Sequence, residues 1–419
     1  MTNSFRFIHA ADIHLDSPLL GLEEFEDAPV DQIREATRKA VVRLVDLCLD
    51  EKAAFLLIAG DVYDGDWKSM ATGRFFAAQM GRLTSAGVPV FMIKGNHDAA
   101  SQVSKEVRLP DVHTFDTKRP ETVELLDFDV AIHGQSYATR EVTDNIALKY
   151  PPAVPGKLNI GMLHTSASSG GNLHAPYAPC TVEQLVGKGY DYWALGHVHQ
   201  REVLYTDPHI IFPGNIQGRH IREPAPEGKG VTLVEVQHGS IADVRHIALD
   251  TVRWSQIEVD ATGLESAEEA IILINRQVLN AVRECPDCLL ATRIIVSGEC
   301  LASLQIQRDP ASFDTSVRAY VQDQSDSIWI EEIQVRTTYP DLSTVAADQG
   351  ALADLLEFVR NSADRLEEPQ KRLSSLVSKL ELSAPGLVSE LDLQQPDLLA
   401  SLLVEAETLI LSLASEESV

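Results

Sequence analysis

Five short motifs of metal-ligating side chains run through the first half of the chain, and each follows an apolar run that is typical of a β-strand. In chain order they are Asp12-Ile13-His14, Gly60-Asp61, Gly95-Asn96-His97-Asp98, His164 and Gly196-His197-Val198-His199. Together they offer more carboxylate, imidazole and amide groups than a single metal ion needs. This inventory predicts a centre for two divalent metal ions.

A pair of divalent ions is suited to the hydrolysis of a phosphoester. Two metals about 3.5–4 Å apart acidify a water molecule and clamp the phosphate between them. One aspartate can place an oxygen on each ion, and neutral imidazoles complete the coordination without cancelling all the positive charge. The mixed oxygen and nitrogen ligands suit Mn²⁺, Fe²⁺ or Zn²⁺ better than Ca²⁺, and Mn²⁺ is the expected metal.

These ligands can meet only if the strands that carry them end at one edge of the fold. Asp12 and His14 are two residues apart at a strand end, so both side chains can point to one side, and His197 and His199 share that spacing. In α/β sheets, ligands gather at the loops beyond the carboxyl ends of the strands. The sequence therefore predicts one crevice for the whole ligand set.

Hydrophobic patterning indicates how those strands are arranged. Strand-like runs at 5–11, 55–59 and 88–93 alternate with helical patterns at 31–50 and 67–86. Further strands are predicted at 122–135, 158–163, 191–195, 202–213 and 230–249. The expected fold class is α/β, a four-layer α/β/β/α sandwich in which two sheets stack face to face with helices outside.

The character of the chain changes near residue 250, and we expect three regions. Residues 1–250 would form the metal-binding domain and 251–338 a small α+β capping domain. Residues 339–419 are leucine-rich at helical spacing, and prolines divide them into short helices. These helices either pack on the chain itself or bind a partner.

The order of the five motifs resembles the calcineurin-like metallophosphoesterase superfamily over about residues 5–250. Residues 7–19 and 212–223 are similar to SbcD-type DNA repair exonucleases, in particular to their YhaO-like branch. The resemblance implies that Asp61 bridges the two metals. It implies that the remaining ligands divide into two sets, Asp12, His14 and His199 for one metal and Asn96, His164 and His197 for the other.

The same resemblance implies a proton donor beside the metals. His97 would be a catalytic residue that does not bind metal and that stabilises the transition state or protonates the leaving oxygen. Asp98 would be its catalytic partner, orienting the ring and raising its pKa. SbcD-like nucleases often have a histidine where this chain has Asp64, so the sequence leaves the proton relay open.

A small basic cluster stands out in an otherwise acidic chain. Arg219, His220 and Arg222 are predicted to bind substrate, because arginine side chains match the geometry of phosphate oxygens. The alternative is that they are ion-paired with Glu223 or Glu227. The loop at 165–179, with His174, either lines the substrate groove or connects two elements.

The leading functional hypothesis is a DNA exonuclease or endonuclease that acts in DNA repair with an SMC-like ATPase, as the resemblance implies. The resemblance also implies a homodimer. The formal net charge of −27 opposes DNA binding at long range, so a partner would supply positive surface. The alternatives are a small-molecule or cyclic-nucleotide phosphodiesterase and a non-catalytic regulatory subunit of an ATPase complex.

A cytoplasmic protein is the simplest expectation for the compartment. The chain has no stretch that is long and apolar enough for a membrane span, and its start lacks the pattern of a signal peptide. Five cysteines are compatible with a reducing compartment. Cys285-Pro286-Asp287-Cys288 is one CxxC pair without a second, which favours a turn between a helix and a strand over a zinc ribbon.

Overall fold

The computed structural model describes residues 4–340, apart from 20–21, 23–26, 65–68, 110 and 168–176. The chain forms two compact units. Among the described residues, the first comprises 4–256, Val282–Thr292 and Ser327–Glu331, and the second comprises Ile257–Ala281, Arg293–Asp326 and 332–340. The predicted C-terminal helices after Pro340 lie outside the described residues.

The first unit contains two six-stranded sheets, and the first sheet carries three of the five motifs. Its strands in spatial order are β12 (Ser240–Ala248), β11 (Gly230–Gln237), β1 (Phe5–Ala10), β2 (Phe55–Ala59), β3 (Val90–Ile93) and β4 (Val112–Thr114). Strands β1 to β4 are parallel, and β11 pairs antiparallel with both β1 and β12. Helices α1 (Val30–Asp50) and α2 (Met70–Ser85) connect the parallel strands.

The second sheet carries the other two motifs. Its strands in spatial order are β5 (Glu121–Leu125), β6 (Val130–Gly134), β7 (Leu158–His164), β8 (Tyr192–Gly196), β10 (His209–Phe212) and β9 (Glu202–Thr206). Strands β6, β7, β8 and β10 are parallel, and β5 and β9 form antiparallel edges. Because their directions agree, the carboxyl ends of β7 and β8 lie at one edge.

Successive side chains along each strand point to opposite faces of the sheet and therefore into different layers. Phe7 and Phe55 of the first sheet pack with Tyr192 of the second in a buried cluster between the sheets. Their neighbours Ile8 and Leu56 point the other way, into a core with α1 and α2. A third cluster covers the outer face of the second sheet. Each such side chain contributes about 1.5–3 kcal/mol through burial, and the four-layer α/β/β/α sandwich is confirmed.

The second unit contains part of a third sheet, whose strands are in the order β13 (Val252–Asp260), β14 (Leu289–Glu299) and β15 (Ile328–Thr338). Its helices are α6 (Ala267–Arg283), α7 (Ala302–Arg308) and α8 (Pro310–Gln322). Helix α6 is amphipathic and buries small and β-branched residues at helical spacing. Residues 252–338 therefore combine three strands with three helices, which is an α+β arrangement.

The sequence located the long elements well and missed the short ones. The predicted apolar stripe of α1 is buried, from Ile33 to Cys48. Strand β4 and the helices α3 (Asn96–Ala100), α4 (Gln102–Glu106) and α5 (Val182–Val186) were not predicted, because segments of three to five residues carry too little periodicity.

Two further expectations can be compared with the structure. No helix in the described ranges is both long and apolar enough to cross a membrane. The CxxC segment is a turn between α6 and β14, as expected, but Cys285 and Cys288 are joined in a disulfide with their Cα atoms 5.7 Å apart. Cys48, Cys180 and Cys300 are free and buried.

Candidate metal centre

The motif residues converge because every strand that carries one ends at the same edge. Asp12 and His14 follow β1, Asp61 follows β2, and the turn after β3 begins α3 at Asn96. From the second sheet, His164 is the last residue of β7, and His197 and His199 follow β8. The structure thus brings all the predicted ligand residues together.

The backbone turns sharply at these positions. Asp12, His14, Asp61 and His197 have positive φ angles of 51°, 44°, 53° and 107°. Residues other than glycine rarely adopt this left-handed conformation, and such strain concentrates at functional sites. Here the left-handed conformation turns the ligand side chains from the sheet edge toward one point.

Two motif glycines are required because ligand side chains lie too close to leave room for a Cβ atom. Gly60 has a φ of 97°, and a Cβ atom there would lie 2.6 Å from Nδ1 of His164. A Cβ atom on Gly95 would collide with the carboxylate of Asp61 and lie 2.7 Å from Cε1 of His164. The glycines therefore leave room for the ligand side chains.

The first ligand cluster is Asp12, His14 and His199, whose ligand atoms all lie within 4.8 Å of one another. Nε2 of His14 is 3.1 Å from Nε2 of His199. Asp12 is held in place by the backbone N–H of His197, which donates to its carboxylate at 2.9 Å. Two imidazole nitrogens that face each other beside a buried carboxylate fit a shared cation, because a cation can accept both lone pairs.

The second cluster is Asp61, His164 and His197. Nε2 of His164 lies 2.9 Å from Oδ1 of Asn96 and 3.2 Å from Oδ2 of Asp61. Nδ1 of His164 donates to the carbonyl of Ala59 at 2.9 Å, which leaves the Nε2 lone pair directed at the cluster. Oδ2 of Asp61 is also 4.0 Å from Nε2 of His14 in the first cluster, so Asp61 reaches both groups.

The charges of the cluster also suit bound cations. Burial raises the pKa of Asp12. Burial acts in the same direction on Asp61, but the neighbouring histidines outweigh it and hold its pKa well below the usual range. For His164, burial lowers the pKa, yet Asp61 and Asp12 raise it to about 9. Buried carboxylates need compensating positive charge, and the residues present fit a pair of divalent ions.

The predicted acid His97 lies beside the first cluster. Its ring meets the ring of His14 edge-on, with centroids 4.9 Å apart. Nδ1 of His97 donates to Oδ1 of Asp64 at 2.9 Å, and the hydroxyl of Ser17 donates to the other oxygen of Asp64 at 2.6 Å. Burial lowers the pKa of His97, but the hydrogen bond to Asp64 and the nearby charge of Asp61 raise it overall.

Asp98, which was predicted to orient His97, contacts backbone groups of two motif loops in the structure. Its carboxylate is buried and accepts from the backbone N–H groups of Tyr63 at 2.9 Å and Gly95 at 3.2 Å. Burial and the charge of Asp61 raise its pKa to about 6. Asp98 joins two motif loops, and the carboxylate on the His97 ring belongs to Asp64, three residues after the bridging aspartate.

The basic cluster is partly ion-paired. Nη2 of Arg219 lies 3.0 Å from Oε1 of Glu223, and Nη1 lies 3.9 Å from Asp64. The exposed side chain of His220 is 3.9 Å from the same Glu223 oxygen. Of the three predicted substrate-binding residues, Arg222 is the one on the wall of the cavity over the metal centre.

That cavity has a volume of about 420 Å³. Its wall includes Arg140 and Lys229, which sequence reasoning missed, together with Tyr177 of the 165–179 loop and Glu223, which was considered only as an ion-pair partner. Arg140 is close enough to lower the pKa of His97, and the ring of Tyr177 is 5.1 Å from that of His197. Arg140 and Lys229 have no local sequence signal, because each comes from a segment that carries no ligand motif. His174 lies outside the described residues.

Two family models and one solved structure are similar to parts of this chain. A family model described as calcineurin-like phosphoesterase matches residues 5–201, and one described as metallophosphoesterase YhaO, middle domain, matches residues 254–338. The crystal structure of TT1561 from Thermus thermophilus is 12% identical with a TM-score of 0.35, and the match covers 58% of this chain and 99% of that one.

Two curated relatives are similar over part of their length. The uncharacterized metallophosphoesterase YhaO of Bacillus subtilis (strain 168) is 38% identical over 267 residues, which are 62% of this chain and 64% of that protein. The DNA double-strand break repair protein Mre11 of Sulfurisphaera tokodaii is 23% identical over 271 residues, which are 62% of this chain and 66% of that protein. The chain therefore carries a calcineurin-like metallophosphoesterase domain, and its similarity to YhaO agrees with the YhaO-like branch that its motifs indicate.

Proposed function

We propose that this protein is a two-metal phosphodiesterase that cleaves DNA as a nuclease in DNA repair. The observation that carries the proposal is the pair of ligand clusters that Asp61 joins, with the His97 ring beside them. The distant similarity to Mre11 proteins supports DNA as the substrate. Mn²⁺ is the proposed metal, and Fe²⁺ and Zn²⁺ are the alternatives.

The protein's residues divide the chemical work. Two divalent ions, when bound, supply a nucleophile near neutral pH and neutralise the phosphoryl oxygens. Asp12, His14 and His199 would hold one ion and Asn96, His164 and His197 the other, with Asp61 bridging. Because Nδ1 of His97 is engaged by Asp64, a proton for the leaving oxygen would pass through Nε2.

The cavity wall suits a phosphodiester that continues on both sides of the cleaved bond. Arg140 and Arg222 are exposed, positively charged and lie along the cavity. Arginine contacts to phosphate fix the register of a nucleic acid without reading its sequence. In an acidic chain, these two side chains are the proposed contacts for the phosphates that flank the reacting one.

We propose that DNA binding also depends on a partner. A net charge of −27 opposes DNA at long range, and an SMC-like ATPase would supply the missing positive surface. The capping domain would orient the DNA, and the C-terminal residues 339–419 would bind the ATPase. A homodimer is proposed as the working form.

The test is degradation of end-labelled linear DNA in the presence of Mn²⁺, with bis-p-nitrophenyl phosphate as a generic diester. His97→Ala is compared with wild type, and His113→Ala serves as the matched control, because His113 lies on β4 beside Glu121. A general acid contributes roughly 10²–10⁴-fold. We expect that loss for His97→Ala, retained Mn²⁺ binding, and no effect of His113→Ala.

The other outcomes distinguish the alternatives. Hydrolysis of the small diester with intact DNA, unchanged when a candidate SMC-like ATPase is added, would replace the DNA proposal with a small-molecule phosphodiesterase. Mn²⁺ binding without turnover of either substrate, with and without the ATPase, would indicate a non-catalytic subunit. Cleavage that appears only with the ATPase would support the proposed partnership.

A further inference from the structure

The ligands of the first metal cluster are not equally buried. Asp12 is fully buried and the side chain of His14 is 1% exposed, whereas the side chain of His199 is 28% exposed. All three ligands lie in loops that follow strand ends, so His199 differs from Asp12 and His14 in its exposure. A half-buried ligand on a loop needs contacts beyond packing to keep its ring aimed at the metal.

Those contacts come from Glu223, which is 24 residues further along the chain. Nδ1 of His199 lies 2.7 Å from Oε1 of Glu223. A carboxylate can only accept, so Nδ1 carries the proton and the Nε2 lone pair faces His14. Nη2 of Arg219 is a second donor to the same oxygen at 3.0 Å. It lies 3.1 Å from Nδ1 of His199 because both donors share the carboxylate oxygen of Glu223.

Glu223 is itself held from several sides. Its other oxygen accepts from Nδ2 of Asn215 and from the backbone N–H of Arg219, both at 3.0 Å. The side chain is 8% exposed. Because both oxygens are fixed, the carboxylate cannot rotate without losing several charge-assisted hydrogen bonds.

The same segment also fixes the backbone of His199. The carbonyl of His199 accepts from Nζ of Lys229 at 2.7 Å and from the backbone N–H of Asn215 at 3.2 Å. The segment is anchored in turn by Gln217, whose amide nitrogen donates to the carbonyl of Val252. Residues 215–229 therefore form hydrogen bonds with both the ring and the main chain of His199.

We propose that Glu223 is a positioning residue for the first metal, which orients His199 through Nδ1 and increases its strength as a ligand. This inference rests on the proposed two-metal function. Carboxylates that accept from a metal-bound imidazole typically change metal affinity about 10–100-fold. Nδ1 of His164, in the second cluster, donates to a backbone carbonyl instead, so the effect should be confined to one of the two ions.

The experiment is Mn²⁺ titration by calorimetry, with low-temperature electron paramagnetic resonance to distinguish paired from single Mn²⁺ ions. Glu223→Gln keeps the size of the side chain and removes its charge, and Glu227→Gln is the matched control at an exposed glutamate of the same segment. We expect wild type and Glu227→Gln to bind two ions. In Glu223→Gln one ion should bind about 10–100-fold more weakly, with loss of the paired signal.

Glu223→Asp keeps the charge but draws the carboxylate back by one methylene. It tests the role of Glu223 if Glu223→Gln fails to fold. The same selective weakening is expected. Unchanged affinity in the folded variants, or equal weakening of both ions, would overturn the role of Glu223. Failure of wild type to bind two Mn²⁺ ions would instead count against the proposed function.

Discussion

Asp64→Asn separates two contributions that the Asp64–His97 pair makes to proton transfer. The asparagine oxygen can still accept from Nδ1 of His97, so the ring keeps its orientation. The negative charge is lost, and with it the stabilisation of the protonated ring. Asp64→Ala removes both contributions, and comparing the two variants separates charge from geometry.

The size of the charge effect follows from the contact. A hydrogen bond to a charged group contributes about 1.5–3 kcal/mol, and about 1.4 kcal/mol corresponds to one pKa unit. The side chains are 30% and 16% exposed, so water screens the pair and the lower end applies. Asp64 raises the pKa of His97, so its replacement should lower that pKa by about one unit.

The assay is the pH dependence of diester hydrolysis at saturating Mn²⁺. The protonated ring is the acid, so activity is lost as pH rises through the pKa of His97. In Asp64→Asn this alkaline limb should move about one pH unit lower, with near-normal activity on the acidic side. Asp64→Ala should lose roughly 10–100-fold at every pH. An unmoved alkaline limb in Asp64→Asn would refute the assignment of Asp64 as the partner of His97.

Three further changes test other parts of the site. Gly95→Ala places a methyl group against the bridging carboxylate, so it should cost about 1–3 kcal/mol of stability and lower the Mn²⁺ content measured after dialysis. Asp98→Asn replaces one buried acceptor with a donor that faces the backbone N–H of Gly95. Thermal denaturation should show a loss of stability of about 1–3 kcal/mol, and the pH profile of activity should not shift. A shifted profile would instead indicate that Asp98 takes part in the proton relay. Arg140→Gln and Arg222→Gln should each reduce the salt dependence of DNA binding by about 0.7–0.9 in the log–log slope, measured by fluorescence anisotropy, and unchanged slopes would exclude phosphate contacts there.

The parts of the fold that the sequence predicted share a physical cause. Long amphipathic helices such as α1 and continuous apolar strands such as β2 carry many residues that obey one period, so local pattern and tertiary burial agree. The ligand residues were predictable because parallel strands bring their carboxyl ends together. Short elements such as β4 and α3 depend on neighbours that are distant in sequence.

The carboxylate next to His97 in the sequence is not the one that contacts its ring in the structure. Adjacency to His97 made it the natural partner in the sequence, but residues next to each other in a helical turn point in different directions. Within α3, Asp98 turns toward the backbone of the Gly-Asp motif. The carboxylate that reaches the ring comes from Asp64, which β2 delivers to the same edge.

Supporting carboxylates are harder to find from sequence than ligands. The chain contains 62 aspartate and glutamate residues, and nothing local separates Asp64 or Glu223 from the rest. What distinguishes them is the atom that each one faces, Nδ1 of His97 and Nδ1 of His199. Arg219 contacts both carboxylates. Its residue type suggested phosphate binding, but it also links the partner of His97 to the partner of His199. A change at Arg219 should therefore alter metal affinity, whereas a change at Arg222, on the cavity wall, should alter substrate affinity.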